Sequence, residues 1–131
     1  MSVKKIFLDS NRKFEIIDIT SKINNEIDIE KGIVNIFSKH STSAILVNEN
    51  ENGLLNDLEV FLNDLFQKHS WKHDLIDNNA ESHLKSFILS SSETVPVSNG
   101  QLDLGTWQSL FFVELDGPRK NRCVTLTFIS D

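Results

Sequence analysis

Apolar and polar residues along this chain follow two periods in turn, and each change of period marks the end of one element and the start of another. Residues 6–8 and 13–19 read as two short strands around a Ser10-Asn11 turn, the second alternating through Phe14 and Ile16 and less cleanly through Ile17. Thr20 or Ser21 is placed to cap a short helix running to Ile27. Residues 32–38 are apolar and β-branched, a predicted strand, with 44–47 as its antiparallel or crossover neighbour. Over 51–66 the period lengthens. Leu54, Leu55, Leu58, Phe61, Leu62, Leu65 and Phe66 recur at helical spacing, opposite Asn56, Asp57, Glu59, Asn63 and Asp64. This apolar stripe reads as core, with no partner helix required.

A second long helix starts near Asn79 and runs through Ala80, Leu84, Phe87 and Ile88 to about Leu89. Strands are predicted over 94–97 and 102–104, joined by Asn99-Gly100, a pair that accepts the positive φ angles of a tight hairpin turn. Residues 109–115, an Asp116-Gly117-Pro118 turn and residues 123–129 make a last strand pair. The order of elements predicts an α+β domain: a mostly antiparallel sheet with helices packed on one face.

Length and charge narrow the functional classes. At 131 residues the chain has room for one domain, 1–131, around one core, to which nine Phe and two Trp contribute bulk. A net charge of −6 with thinly spread Lys and Arg argues against a nucleic-acid partner. The densest basic cluster, Arg119, Lys120 and Arg122, falls in a predicted turn and suits at most a local anion site. The lone Cys123 forms no internal disulfide and reads as a small strand hydrophobe. No apolar run is long enough for a secretory signal or a membrane span, so the expected location is the cytoplasm.

Three segments hold the candidate chemistry. In the first, His40 precedes Ser41, Thr42 and Ser43, a histidine beside hydroxyls able to bind a metal or an anion, or simply to sit in a surface loop. The second carries His73, and His83 on the helical face of Ala80 and Phe87. Taken singly, His83 is better read as a structural histidine with a hydrogen-bond partner, and the spacing of His73 and His83 matches no zinc-finger or HExxH pattern. In the third, Gly105 suggests a bend that lets Trp107 pack against another element, and Arg119 is either a solvated charge or a fork for phosphate or carboxylate.

Together these segments resemble the YjbQ-like family, whose members are described as secondary thiamine-phosphate synthases. The matching pieces are HSTSAILVNENENG from His40, DNNAESHLKS ending at Ser86, QLDLGTWQ from Gln101 and ELDGPRKNR from Glu114. The resemblance implies a homotrimer of compact α+β subunits with a metal-binding pocket of histidines near a subunit boundary. Carried over by position, the metal residues are His40, His73 and His83, while His69 lies outside the motifs and reads as a surface residue. Ser41 and Trp71 depart from the threonine and tyrosine more usual there, which bears on substrate contacts rather than on the metal.

Three neutral imidazoles on a divalent ion, most simply zinc, leave a coordination position open for a substrate oxygen or water. Glu49 then orients a ligand histidine through its carboxylate or acts as general base, unless Asn48 and Glu49 cap the following helix. The implied reaction joins hydroxymethylpyrimidine diphosphate to thiazole phosphate. Arg119 and Lys85 would neutralise phosphate charge on such a small phosphorylated substrate, Ser41, Thr42 and Ser43 would donate hydrogen bonds, and Trp107 and Gln108 would contact it. Two alternatives stay open: a metal-dependent hydrolase of a small phosphate or amide, and a non-catalytic trimer that holds a metal or anion.

Overall fold

The computed structural model describes residues 1–66 and 69–131. In chain order the elements are β1 (Ser2–Leu8), β2 (Glu15–Asp18), α1 (Thr20–Asn24), β3 (Gly32–Ser38), β4 (Ser43–Glu49), α2 (Asn52–Leu65), a 3-10 turn (Lys72–Leu75), α3 (Ala80–Leu89), β5 (Ser92–Ser98), β6 (Gln101–Leu102), β7 (Gln108–Glu114) and β8 (Arg122–Ser130). The strands make two antiparallel sheets, one ordered β1-β8-β3-β5-β6 and the other β2-β7-β4. The α+β expectation is met, with two sheets in place of one.

The inner faces of the sheets share a core. Ile6, Leu8, Val34, Ile36, Val124, Leu126 and Phe128 come from the larger sheet, and Ile45, Leu110 and Phe112 from the smaller. On the other face of the smaller sheet, Phe111, Val113 and Ala44 pack with Leu115 against Leu55 of α2 and Leu89 of α3. Strand β7 is therefore covered on both sides, which is why residues 110–113 are continuously apolar instead of alternating. Each fully buried Val, Leu, Ile or Phe among them contributes about 1.5–3 kcal/mol of hydrophobic stabilisation.

Two expected neighbours fall in different sheets. Strand β4 pairs with β7 and not with β3, and β7 and β8 are not hydrogen-bonded to each other. The connection expected to be a hairpin turn instead crosses between sheets, and it is tied to the β1–β2 connection, which crosses too. Gly117 N–H donates to the Lys13 carbonyl at 3.0 Å, and Ser10 N–H to the Arg119 carbonyl at 2.8 Å. A Cβ at Gly117 would meet the Arg12 carbonyl at 2.1 Å, so the close approach of the two connections requires glycine there.

Other local expectations are corrected by hydrogen bonding. The first helix stops at Asn24, not Ile27, and neither Thr20 nor Ser21 caps it: Asp18 Oδ1 accepts the Thr20 N–H at 2.9 Å, while the Thr20 hydroxyl accepts the Leu110 N–H at 2.9 Å. Helix α2 is capped by Glu51, whose carboxylate accepts from Gly53 and Leu54, and not by Asn48 or Glu49. Of its apolar stripe only Leu62 is fully buried, while Leu54, Phe61 and Leu65 are exposed, so the stripe is only partly core. The Asn99-Gly100 hairpin forms as expected, with φ of 53° and 72°. Among the described residues no helix is long and apolar enough to cross a membrane.

Candidate functional site

His40 sits in the connection between β3 and β4, shaped by a chain of hydroxyls. Ser38 Oγ and Ser43 Oγ lie 2.6 Å apart, Ser43 Oγ donates to the His40 carbonyl at 2.9 Å, and His40 N–H donates to Ser38 Oγ at 3.3 Å. The ring is fixed from the other side, where Cys123 N–H donates to His40 Nε2 at 3.0 Å. A neutral imidazole has one free lone pair, and here it is occupied, so Nδ1 carries the proton and acts as a donor. Burial, and next the neighbouring Arg122, hold His40 below the usual imidazole range against the opposing pull of Glu114.

His73 and His83 come together. His73 lies in the 3-10 turn, His83 on α3, and their rings meet edge-to-face with centroids 4.7 Å apart. Among the described residues His73 Nε2 is buried with no hydrogen-bond partner, and the nearest carboxylate oxygen, on Asp77, is 3.9 Å away. Two adjacent imidazoles, one with a buried nitrogen that nothing satisfies, fit a metal ion chemically. His83 also lines a cavity of about 420 Å³ with His40, Ser41, Ser86 and Lys39. Among the described residues, no three His, Cys, Asp or Glu side chains converge closely enough within one chain to hold an ion. The structure thus brings together a histidine pair, with His40 facing one of its members across a cavity.

Helix α3 is positioned by two serines one turn apart. Ser82 Oγ donates to the Leu115 carbonyl and Ser86 Oγ to the Ser43 carbonyl, both at 2.6 Å. These bonds fasten the helix across the ends of β7 and β4 and set the rotation that turns His83 toward His40. The helix ends at Ser90, a non-glycine residue at φ 76°, ψ 158°, on the rim of the same cavity.

Beneath His40 lies a buried charge cluster that sequence reasoning missed. Glu114 is fully buried and accepts from Arg122 through both carboxylate oxygens, with Nε–Oε1 at 2.8 Å, and also from Ser10 Oγ at 2.7 Å and Asp116 N–H at 3.0 Å. Arg122 also donates through Nη2 to Thr42 Oγ1 at 3.1 Å. Burial alone would raise the Glu114 pKa; Arg122, Ser10 and Asp116 together hold it below the usual carboxylate value. Arg122 is therefore not part of a solvated basic turn but opens β8. One signal was available: Glu114 is a lone acid inside a run of apolar residues, and such a residue needs a buried partner.

The remaining candidates are scattered. Thr42 and Ser43 are buried with their hydroxyls committed to Arg122, Ser38 and the His40 carbonyl, leaving Ser41 as the exposed hydroxyl of the three. Arg119 folds back on its own turn, with Nε on the Asp116 carbonyl at 2.9 Å and the guanidinium 3.1 Å from the Asp116 carboxylate. Glu49 pairs with Gln108 at the far end of β4, six residues from Ser43, and so about 20 Å along the strand from the His40 loop. Trp107 beside it is 73% exposed, contrary to the packing role expected, because the turn closed by Gln108 N–H on the Gly105 carbonyl carries it outward. Lys85 opens into a different cavity from His83. Cys123 is half-buried on the strand that holds His40.

Comparison with known proteins agrees with this architecture. A family model described as UPF0047 protein YjbQ-like matches residues 4–131. A UPF0047 protein from Methanothermobacter thermautotrophicus is 53% identical over 88% of this chain and 83% of its own length. YugU of Bacillus subtilis is 34% identical over 92% of this chain and 95% of its own. Among solved structures, a YbjQ-like protein from Sulfolobus solfataricus superposes with a TM-score of 0.94 at 40% identity, covering 99% and 97% of the two chains. A protein from Aeropyrum pernix gives 0.93 at 35% identity over the whole of both.

Proposed function

The chain belongs to the YjbQ-like UPF0047 family, and on that premise we propose that it is a metal-dependent enzyme acting on a small phosphorylated molecule at the histidine pair. One observation carries the reading: His73 Nε2 is buried without a partner and in ring contact with His83. His73 and His83 would hold a divalent ion, most simply zinc, whose chemistry when bound is to polarise a substrate oxygen or acidify a water. His40 keeps its Nε2 on Cys123 and directs the Nδ1 proton as a hydrogen-bond donor to a substrate oxygen in the cavity it shares with His83. Ser41 and Lys39 line that cavity and supply a hydroxyl and one positive charge. Self-association as a homotrimer would complete the site. It is supported by large apolar side chains left bare around it, Phe87 at 84% exposure on α3 and Leu75 and Ile76 after His73.

Thiamine-phosphate formation, the reaction implied by the sequence resemblance, supplies the first substrate pair to test. A second reading, hydrolysis of a small phosphate or amide, is favoured by where the cations lie. Departure of a diphosphate calls for clustered positive charge, yet Arg119 is paired with Asp116 and Lys85 faces away from the histidines.

The deciding experiment is elemental mass spectrometry of the untagged protein beside a His73→Ala/His83→Ala variant, with subunit stoichiometry read by sedimentation on the same samples. We expect about one divalent ion per subunit in the parent, lost in a folded double variant. No ion in the parent after reconstitution with zinc would overturn the reading. Pyrophosphate release from the two thiamine precursors then separates synthesis from water-dependent turnover of one substrate.

A further inference from the structure

On the opposite side of α3 from His83, the structure holds a second cavity, of about 600 Å³, between α2, α3 and the residues leading into β2. At its wall is Lys85, which is only 8% exposed. Its ammonium meets Asn63 Oδ1 at 3.1 Å and the face of the Phe66 ring at 5.8 Å. Among the described residues it makes no ion pair. Asp74, Glu59 and Glu81 line the same cavity without reaching it, and Asp74 is committed to the Ala80 N–H at 2.9 Å. A lysine this deeply buried ordinarily has a counter-charge, because an amide oxygen and a ring face only partly replace the water it has lost. Two more polar atoms of residues lining this space, Trp71 Nε1 and Asn79 Oδ1, are buried with no partner among the described residues. Arg12 adds an exposed positive charge to the same wall.

We infer that this cavity is a binding site for a small polar metabolite with one anionic head, a carboxylate or a phosphate, seated on the Lys85 ammonium. The chemistry of the lining defines the rest of the ligand. Trp71 offers a donor to the anionic head or to a neighbouring oxygen, whereas Asn79 Oδ1, Glu59 and Glu81 are acceptors. The body of the ligand therefore carries hydroxyl or ammonium donors. The inference does not depend on a metal at the histidine pair, since neither His73 nor His83 lines this cavity.

The test is thermal unfolding by circular dichroism in inorganic phosphate and, separately, in acetate, against sodium chloride of equal ionic strength. For the parent we expect the midpoint to rise by about 5–10 °C when the effective anion exceeds its Kd roughly a hundredfold. A response to phosphate alone assigns a phosphate head, and a response to acetate alone a carboxylate head. Lys85→Met, which keeps the length of the side chain, should abolish the shift. Asn63→Asp, at an exposed position of α2, should place a carboxylate on the ammonium, raise the midpoint in chloride and remove most of the anion response. The inference is overturned if neither anion shifts the parent, if Lys85→Met responds like the parent, or if Asn63→Asp lowers the chloride midpoint. His83→Ala should keep the full anion response, and its loss there would overturn the separation of the two sites.

Discussion

Replacing Arg122 with methionine removes the positive half of the most deeply buried ion pair and leaves Glu114 fully enclosed. Glu114 would keep its bonds from Ser10 and the Asp116 N–H but lose both bonds from the guanidinium, and Thr42 Oγ1 would lose its donor. Breaking a buried pair from one side costs about 3–5 kcal/mol, which in a chain of this size lowers the melting midpoint by roughly 10–20 °C. Urea unfolding followed by far-ultraviolet circular dichroism measures the loss directly. The pH dependence gives the sharper test. In the parent the folded-state Glu114 pKa is depressed, so its contribution is present above the unfolded carboxylate value and is lost as pH falls through the folded one. In Arg122→Met, burial dominates and the folded pKa rises above the unfolded value. The variant should therefore be least stable at neutral pH and recover as pH falls into the range where Glu114 protonates. The double variant Glu114→Gln/Arg122→Met should recover a substantial part of the loss at pH 7, since no charge is stranded. A loss below about 1 kcal/mol for Arg122→Met, or a pH slope of the parent's sign, would refute the argument that this pair is held by mutual desolvation.

Two further outcomes follow from the same region. His40 should titrate below the usual imidazole range by NMR. Glu114→Gln should push it lower still, because Glu114 is the group that raises it, and unchanged titration in that variant would contradict the assigned electrostatics. Since burial and Arg122 depress the folded His40 value, its contribution to stability is full above the unfolded imidazole pKa and declines as pH falls toward the folded one. Ser90 holds a backbone conformation suited to glycine, so Ser90→Gly should stabilise the fold by about 1 kcal/mol in urea unfolding; a destabilised variant would mean that the seryl side chain compensates the strain.

Much of the fold was legible because local signals and tertiary demands agreed. The Asn99-Gly100 hairpin and the two long helices rest on turn chemistry and periodicity that the packing reinforces. The pairing of β4 and the split between β7 and β8 were not legible. An Asp-Gly-Pro turn reads as a hairpin from local chemistry, and only the contact of Gly117 with the Arg12–Lys13 backbone reveals a crossing between sheets. At the candidate site, the segments that carry His40, His73 and His83 stood out through the family resemblance. Periodicity could not show that the hydroxyls after His40 are used internally, because a buried serine and a ligand-binding serine have the same sequence appearance. Nor could it separate Lys85 from His83, two residues apart on one helix.

That separation follows from helical geometry. Residues along α3 advance by about 100° each, so three stripes form within its ten residues. His83, Ser86 and Phe87 face the His40 cavity, Ala80 and Leu84 back onto His73, and Glu81, Ser82 and Lys85 face the cavity toward α2. Only a rotation fixed to within a fraction of that step keeps the imidazole and the ammonium in different spaces. The bonds of Ser82 and Ser86 to the Leu115 and Ser43 carbonyls supply the fix, one turn apart on a single face of the helix. Leu115 directly follows the Glu114 whose carboxylate binds Arg122, and Ser43 directly follows the Thr42 that receives the guanidinium. The buried charge cluster thus anchors both acceptors that orient α3, as well as the Cys123 N–H that holds His40. A substitution at Arg122 should for this reason disturb the relative placement of His40 and His83 even though it touches neither ring.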